Sequence, residues 1–117
     1  MPFTSNPGAI EVSPEDTANA LADDSAQLVD VREQHEWDAG RIEGAIHIPM
    51  NRLGPSRELI DQSRPVIFSC RVGARSFMAA QAFRSAGYDA YSMAGGILLW
   101  DDQRRPLVPE GATVADH

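Results

Sequence analysis

The stretch VIFSCRVGARSF spans residues 66–77 and contains the only cysteine of the chain. Its apolar start predicts a short buried strand at residues 66–69. From residue 74 to residue 86, apolar side chains recur at three- and four-residue spacing, which predicts a helix that ends before Gly87. Cys70 therefore lies in the loop between a strand and a helix. Its thiol is either a small buried core group or a nucleophile in an anion-binding loop.

Three features of this loop favour an anionic sulfur. The N-terminus of the following helix would point its free N–H groups and the positive end of its dipole at Cys70. Arg71 and Arg75 add two positive charges, and Gly73 permits backbone angles at which successive N–H groups face one point. Free cysteines are often buried and inert. Because all three features coincide here and the thiolate is the reactive form, the pattern predicts a nucleophile.

Strands and helices alternate along the rest of the chain. Ser13 is a suitable cap for a first helix, and Pro14 suits its first position. Alternation of this kind predicts an α/β fold, in which a parallel sheet is covered by helices on both faces and ligands bind at the carboxyl ends of the strands. The predicted strands are residues 10–12, 26–31, 45–48, 66–69 and 90–93, and the predicted helices are residues 14–22, 33–39, 56–62, 74–86 and 97–102.

The length of 117 residues fits a single domain. We predict an N-terminal arm at residues 1–9, a folded domain at residues 10–107 and a flexible C-terminal tail at residues 108–117, since the tail is polar and interrupted by proline.

Composition excludes several classes of function. The net charge of −7 argues against nucleic-acid binding. No apolar run approaches the ~20 residues of a membrane span, and the N-terminus lacks the pattern of a secretory signal. A lone cysteine forms no internal disulfide, so we expect a cytoplasmic protein. Its three histidines and one cysteine lack the spacing of a metal site, and we expect neither metal nor cofactor.

The length of the loop distinguishes two chemistries. A cysteine phosphatase holds a whole phosphoryl group in a loop whose usual spacing is cysteine, five residues, arginine. Here Ser76 stands at that spacing, and the arginine comes one residue earlier, at Arg75. A tighter loop suits a smaller group, the outer sulfur of a persulfide.

Three segments together resemble the single-domain rhodanese family of sulfurtransferases. The loop CRVGAR, residues 70–75, is similar to the six-residue active loop of that family. LVDVREQHEWDAGRIEGAIHIP, residues 28–49, resembles its first signature, and MAGGILLW, residues 93–100, resembles the segment that closes its sheet. The resemblance covers residues 12–107. Arg41 departs from the family, which commonly has histidine there, but this position is outside the loop.

The resemblance implies a five-stranded parallel sheet and a catalytic Cys70 that accepts sulfur from a small anionic donor such as thiosulfate. The persulfide then passes its sulfur to cyanide or to a thiol acceptor: glutathione, thioredoxin or a sulfur-accepting protein. Either Arg71 or Arg75 would bind the oxyanion of the donor, and we expect Arg75, at the start of the helix, to orient it. The residues whose backbone N–H groups would stabilise the persulfide are Arg71, Val72, Gly73, Ala74, Arg75 and Ser76.

Other polar and aromatic side chains have structural interpretations. We expect Arg32 to pair with Glu36 or Asp30, although it could reach the substrate. A general base is not needed if the thiolate is already ionised, so we expect His47 to be packed and hydrogen-bonded. His35 should face solvent, and the two tryptophans, Trp37 and Trp100, should anchor the core.

Four functions remain open from the sequence. The first is a sulfurtransferase enzyme, and the second is a non-catalytic carrier that delivers persulfide sulfur to a biosynthetic partner. The third is a phosphatase or arsenate reductase, which the loop length opposes. The fourth is a binding module with a decayed site, which the intact cysteine and arginines oppose.

Overall fold

A computed structural model describes residues 2–117, in which five strands alternate with four α-helices. Two short 3-10 turns, Met50–Arg52 and Arg57–Leu59, lie between the third and fourth strands. The elements in chain order are β1 (Glu11–Val12), α1 (Pro14–Ala22), β2 (Gln27–Asp30), α2 (Gln34–Ala39), β3 (Ile46–His47), β4 (Val66–Ser69), α3 (Ala74–Ser85), β5 (Ala90–Met93) and α4 (Gly96–Asp102).

The five strands form one parallel sheet in the order β1-β5-β4-β2-β3, as expected for the predicted α/β class. Strand β4 lies at its centre, where Ser69 pairs with Asp30 of β2 and Phe68 pairs with Ser92 of β5. Cys70, directly after β4, is therefore at the middle of the carboxyl edge of the sheet.

Alternate side chains of β4 enter two hydrophobic clusters on opposite faces of the sheet. Val66, Phe68 and Cys70 belong to the cluster that contains residues of α3. Ile67 belongs to the cluster that contains residues of α1 and α4. Helices thus cover both faces, and the cysteine side chain lies on the α3 side.

The start of α1 follows the capping rule that predicted it. The Ser13 side chain accepts a hydrogen bond from the Asp16 backbone N–H at 3.0 Å, and Pro14 occupies the first turn. The predicted bounds of β4 and β5 agree with the structure at both ends.

The helix predicted at residues 56–62 is the main difference from expectation. Only the 3-10 turn Arg57–Leu59 forms, because Ile60 is extended (φ −103°, ψ 122°) and its side chain is buried. The next residue, Asp61, is fixed by the Gln27 side chain, which donates to the Asp61 carbonyl at 2.7 Å and accepts from its N–H at 3.0 Å.

Residues beyond α4 return across the domain. Val108 forms an antiparallel bridge with Arg41, and the Thr113 N–H donates to the Ala39 carbonyl at 2.9 Å. Leu107 and Val114 pack against the hydrophobic cluster of the α1 and α4 face. Val108, Thr113 and Val114 belong to the predicted tail, residues 108–117, whose flexibility stays a prediction.

The N-terminal arm is also held by the domain. The Phe3 N–H donates to Ser25 Oγ at 2.7 Å, and the Phe3 ring packs edge-on against Tyr91. No helix in residues 2–117 has both the length and the apolar character that crossing a bilayer requires.

Candidate active site

The Cys70 side chain lies fully buried beneath the loop that joins β4 to α3. Its Sγ accepts a hydrogen bond from the Gly73 backbone N–H at 3.1 Å and from the Ser76 backbone N–H at 3.4 Å. Both N–H groups belong to the loop or to the first turn of α3, where the helix leaves them unpaired. This arrangement stabilises negative charge on sulfur.

Gly73 makes the turn that brings these N–H groups together. Its φ of 109° is in the left-handed region, where residues other than glycine are strained. Its carbonyl accepts from the Phe77 N–H at 3.0 Å, the first hydrogen bond of the helix. Gly73 therefore caps α3 and also positions the N–H groups that face Cys70 Sγ.

Ser76 contributes a hydroxyl as well as its backbone N–H. Its Oγ donates to the Gly73 carbonyl at 3.2 Å, and it lies 2.7 Å from Ser92 Oγ and 3.5 Å from Cys70 Sγ. All these groups are buried. The sequence predicted a role only for the backbone N–H of Ser76. The hydroxyl contact with Ser92 depends on the pairing of β4 with β5, which the sequence does not show.

The N-terminus of α4 forms a second wall of the loop. The Ile97 N–H donates to the Cys70 carbonyl, and the Leu98 N–H donates to the Arg71 carbonyl, both at 2.9 Å. A Cβ built on Gly96 would lie 2.6 Å from the Cys70 carbonyl oxygen and 2.5 Å from the Arg71 carbonyl carbon. The glycines of MAGGILLW thus permit the backbone of α4 to touch the active loop.

Arg75 does not project freely toward the sulfur. Its guanidinium donates two hydrogen bonds to the Glu36 carboxylate, from Nη1 to Oε1 at 2.8 Å and from Nη2 to Oε2 at 3.0 Å. The hydrogen bond to Glu36 raises the pKa of Arg75, against the opposing effect of burial. The charge of Arg75 is therefore balanced within the protein.

Glu36 was not among the site residues that the sequence predicted. Its fully buried carboxylate also accepts the Glu33 backbone N–H at 3.0 Å and so caps α2. Burial favours its neutral form, but the hydrogen bonds from Arg75 and Glu33 outweigh burial and lower the pKa of Glu36. Its position at the third residue of a helix start was the available signal.

Arg71 is the other cation of the loop, and its side chain is 28% exposed. Its Nη2 lies 3.4 Å from Asp116 Oδ1, while its buried Nε has no hydrogen-bond partner within residues 2–117. Val72 and Ala74 of the same loop are exposed, so their side chains face outward and only their backbone can face the sulfur.

Sequence comparison identifies the family. A profile of the Rhodanese-like domain matches residues 13–103. The chain belongs to the rhodanese-like domain family.

Two bacterial relatives of this rhodanese-like domain cover most of its length. It is 35% identical to a sulfurtransferase of Allochromatium vinosum over 104 residues, 86% of this chain and 97% of the relative. It is 38% identical to a thiosulfate sulfurtransferase of Pseudomonas fluorescens over 88 residues, 74% of this chain and 81% of the relative.

Some relatives are much longer. The chain is 38% identical to a probable adenylyltransferase/sulfurtransferase of Mycobacterium tuberculosis over 82 residues, which are 68% of this chain. It spans only 21% of the length of that relative. Its fold is similar to that of a rhodanese-related protein of Thermoplasma volcanium, with a TM-score of 0.77 and 24% identity over 84% of this chain and 96% of the other.

Arg32 of the rhodanese-like domain has the structural role expected of it. Its guanidinium is fully buried, and Nη2 donates to Asp30 Oδ2 at 2.8 Å and to the Gly40 carbonyl at 2.8 Å. Of the two expected partners, Asp30 is the one that Arg32 contacts. The pair ties the end of β2 to the end of α2 and leaves Glu36 for Arg75.

His47 and His35 are both engaged with neighbouring groups. His47 stacks on Trp37 with ring centroids 4.6 Å apart, and its Nε2 lies 2.8 Å from the Arg32 carbonyl, as a packed histidine was expected to do. His35 is exposed, as expected, and its Nε2 lies 2.9 Å from the Asp116 carbonyl.

One group of potential metal ligands lies beside the loop. Single ligand atoms of Glu33, His35 and Glu36 are within 4.8 Å of one another. The Glu36 carboxylate is already bound by Arg75 and by a backbone N–H, so it has little remaining capacity for a metal ion.

Proposed function

We propose that this protein is a sulfurtransferase in which Cys70 carries sulfane sulfur as a persulfide. The observation that carries the proposal is the convergence of the Gly73 and Ser76 N–H groups on Cys70 Sγ, at 3.1 and 3.4 Å. Donors of this kind stabilise a sulfur anion, which both the thiolate and the persulfide are.

The reaction consists of two displacements at sulfur. The Cys70 thiolate attacks the outer sulfur of thiosulfate, the S–S bond of the donor breaks, and sulfite leaves with the bonding electron pair. Cyanide or a thiolate then attacks the outer sulfur of the Cys70 persulfide, the new S–S bond breaks, and Cys70 leaves as the thiolate. Charge balances in both steps, which are those of covalent nucleophilic catalysis.

Arg71 is the residue that we propose binds the oxyanion of the donor. The sequence left Arg71 and Arg75 as candidates and favoured Arg75 for orienting the donor, but both terminal nitrogens of Arg75 are bound by Glu36. Arg71 is partly exposed and has only a long contact to Asp116. Arg75 then acts on the site through its place in the first turn of α3.

The acceptor in this proposal comes from outside the chain. Cys70 is the only cysteine in the sequence, so no second thiol of the chain can resolve the persulfide. Glutathione, thioredoxin or a sulfur-accepting protein are the proposed acceptors, in a reducing and therefore cytoplasmic setting. The sulfurtransferase names of two relatives support donor and acceptor chemistry in general.

Intact-mass measurement tests the proposal directly. Incubation of the protein with thiosulfate should add the mass of one sulfur atom, and cyanide should remove it and release thiocyanate. Cys70→Ser should lose both steps and keep the circular dichroism spectrum of the folded protein. Turnover of thiosulfate by Cys70→Ser would disprove the assignment of the nucleophile.

The same preparation separates the alternatives. A persulfide carrier would load sulfur once and release it to an acceptor protein, but would turn over thiosulfate and cyanide slowly. A phosphatase would hydrolyse p-nitrophenyl phosphate without gaining sulfur. Hydrolysis of this ester with no sulfur loading would overturn the proposal, although the spacing from Cys70 to Arg75 opposes that outcome.

A further inference from the structure

The last residues of the chain lie against the active loop, a position that the sequence did not indicate. The Asp116 carboxylate faces Arg71 at 3.4 Å, and the Asp116 carbonyl lies 2.9 Å from His35 Nε2. His117 lines a small cavity together with Arg75 and Glu33. The segment 115–117 thus spans from Arg71 on one side of the loop to Arg75 on the other.

Backbone contacts upstream fix the path of this segment. The Arg41 and Val108 backbones exchange two hydrogen bonds of 2.8 and 2.9 Å, and the Thr113 N–H donates to the Ala39 carbonyl. Gly40 makes room for this strand-like passage, since a Cβ built there would overlap the Thr113 carbonyl and lie 2.9 Å from Ala112 Cβ. The tail is therefore led along the end of α2 toward the loop.

We propose that residues 115–117 form a lid over the Cys70 loop and that Asp116 determines its selectivity toward anions. This inference rests on the proposed function for its meaning in sulfur transfer. Asp116 occupies Arg71, the one loop arginine not bound by Glu36, and an anionic donor must displace the carboxylate to reach that cation. The lid thereby disfavours anions relative to neutral reagents.

The strength of the contact suits a displaceable lid. The Asp116 side chain is 99% exposed, and ion pairs between exposed side chains are weak. A contact of this strength lowers the apparent affinity for an anion by no more than about fivefold. It also weakens as salt screens the two charges.

Alkylation of Cys70 by two reagents of similar size tests the lid without any sulfur chemistry. Iodoacetate carries a negative charge and iodoacetamide does not, and Cys70 is the only thiol in the chain. For Asp116→Asn at low ionic strength, we expect the rate with iodoacetate to rise about two- to fivefold and the rate with iodoacetamide to stay unchanged. The rise should shrink at high salt.

Two further variants separate the effect of the Asp116 charge from the effect of covering the loop. Glu110→Gln removes the same charge from an exposed position of the same tail, and its ratio of the two rates should match that of the wild type. A chain that ends at Val114 lacks the lid but keeps the packed Val114 side chain, and both reagents should react faster with it. An unchanged ratio in Asp116→Asn, or an equal rise in Glu110→Gln, would refute the role of Asp116.

Steady-state kinetics link the lid to the proposed function. The KM for thiosulfate should fall about two- to fivefold in Asp116→Asn, while kcat stays the same, because the carboxylate competes only with donor binding. If the alkylation ratios change as expected and no variant transfers sulfur, the lid stands and the sulfurtransferase proposal fails. If sulfur transfer is found and the ratios do not change, the reverse holds.

Discussion

Glu36, which lies outside the loop itself, fixes part of the geometry of the loop. One buried carboxylate caps α2 through the Glu33 N–H and binds both nitrogens of the Arg75 fork. It fixes the first turn of α3 against α2, and it neutralises a charge that would otherwise face Cys70. Arg71 is thereby left as the arginine of the loop that Glu36 does not bind.

Replacing Glu36 by glutamine should destabilise the protein. Gln keeps the shape but leaves the Arg75 guanidinium without a counter-charge in a largely buried site, and breaking a buried ion pair from one side costs about 3–5 kcal/mol. Because the Arg75 side chain is 20% exposed and can recruit water, we expect a smaller loss, about 2–3 kcal/mol, in urea unfolding at pH 7. Glu43→Gln, at an exposed site, should change stability by less than about 0.5 kcal/mol.

The pH dependence of stability follows from the same pair. Hydrogen bonds from Arg75 and Glu33 hold the pKa of Glu36 below its ordinary value of 4.5 despite burial. A lowered pKa contributes stability that is fully present above 4.5 and is lost as pH falls through the folded-state value. Between pH 5 and the acid transition, wild-type stability should therefore fall more steeply than that of Glu36→Gln. Parallel curves from urea titrations would contradict this origin.

Among the elements, three helix and strand ends build the active loop. Cys70 follows the end of strand β4, and N–H groups at the start of α3 donate to its Sγ. N–H groups of α4 donate to the Cys70 and Arg71 carbonyls. The support from α4 requires the close approach at Gly96. The contact between α4 and the loop, and not the loop sequence alone, keeps the N–H groups in position around Cys70 Sγ.

Gly96→Ala should therefore damage the site through α4. The new Cβ would meet the backbone of Cys70 and Arg71, which cannot yield as a flexible side chain would, and the φ of 62° adds strain. Strain and overpacking together predict a loss of about 2–5 kcal/mol in urea unfolding. Sulfur loading from thiosulfate, measured by intact mass, should fall even where the variant remains folded.

Gly44→Ala is the matched control for that variant. Gly44 also has a positive φ, 91°, but a Cβ built there meets nothing within 4 Å. Gly44→Ala should lose only the stability that backbone strain costs, about 1–2 kcal/mol, and thiosulfate should load sulfur onto Cys70 normally. Equal defects in the two variants would show that backbone strain, and not the contact between α4 and the loop, explains Gly96→Ala.

The elements also explain which parts of the site were predictable. Strand β4 and Gly73 carry strong local signals, a compact apolar run and a glycine before a helical pattern, and both predictions are confirmed. Glu36, Ser92 and Gly96 reach the loop only through the pairing of β2, β4 and β5 and the packing of α2 and α4. Contacts of that kind depend on tertiary structure, and the local pattern at Glu36 indicates only a helix cap and not its contact with Arg75.

At the scale of the whole molecule, both chain ends pack on the domain, but at different places. The N-terminal arm lies over β5 and α3, where Arg84 donates to the Pro7 and Ala9 carbonyls at 3.0 Å and Tyr91 Oη accepts from the Asn6 N–H at 2.7 Å. The side-chain hydrogen bonds of Tyr91 and Arg84 go to residues outside the Cys70 loop. The C-terminal segment, in contrast, reaches the loop through Asp116.

Trimming the two ends should therefore have separable effects. A chain without residues 2–8 loses the Phe3 contact with Tyr91 and several hydrogen bonds, each worth about 0.5–1.5 kcal/mol, so its urea midpoint should fall. Its rates of alkylation at Cys70 should equal those of the wild type, since the loop is untouched. A chain that ends at Val114 should show the opposite pattern, with faster alkylation and a nearly unchanged midpoint, because Asp116 is almost wholly exposed. If removal of residues 2–8 also accelerated alkylation, the two ends would be coupled through the sheet, and the effect of the lid could not be assigned to the contact between Asp116 and Arg71.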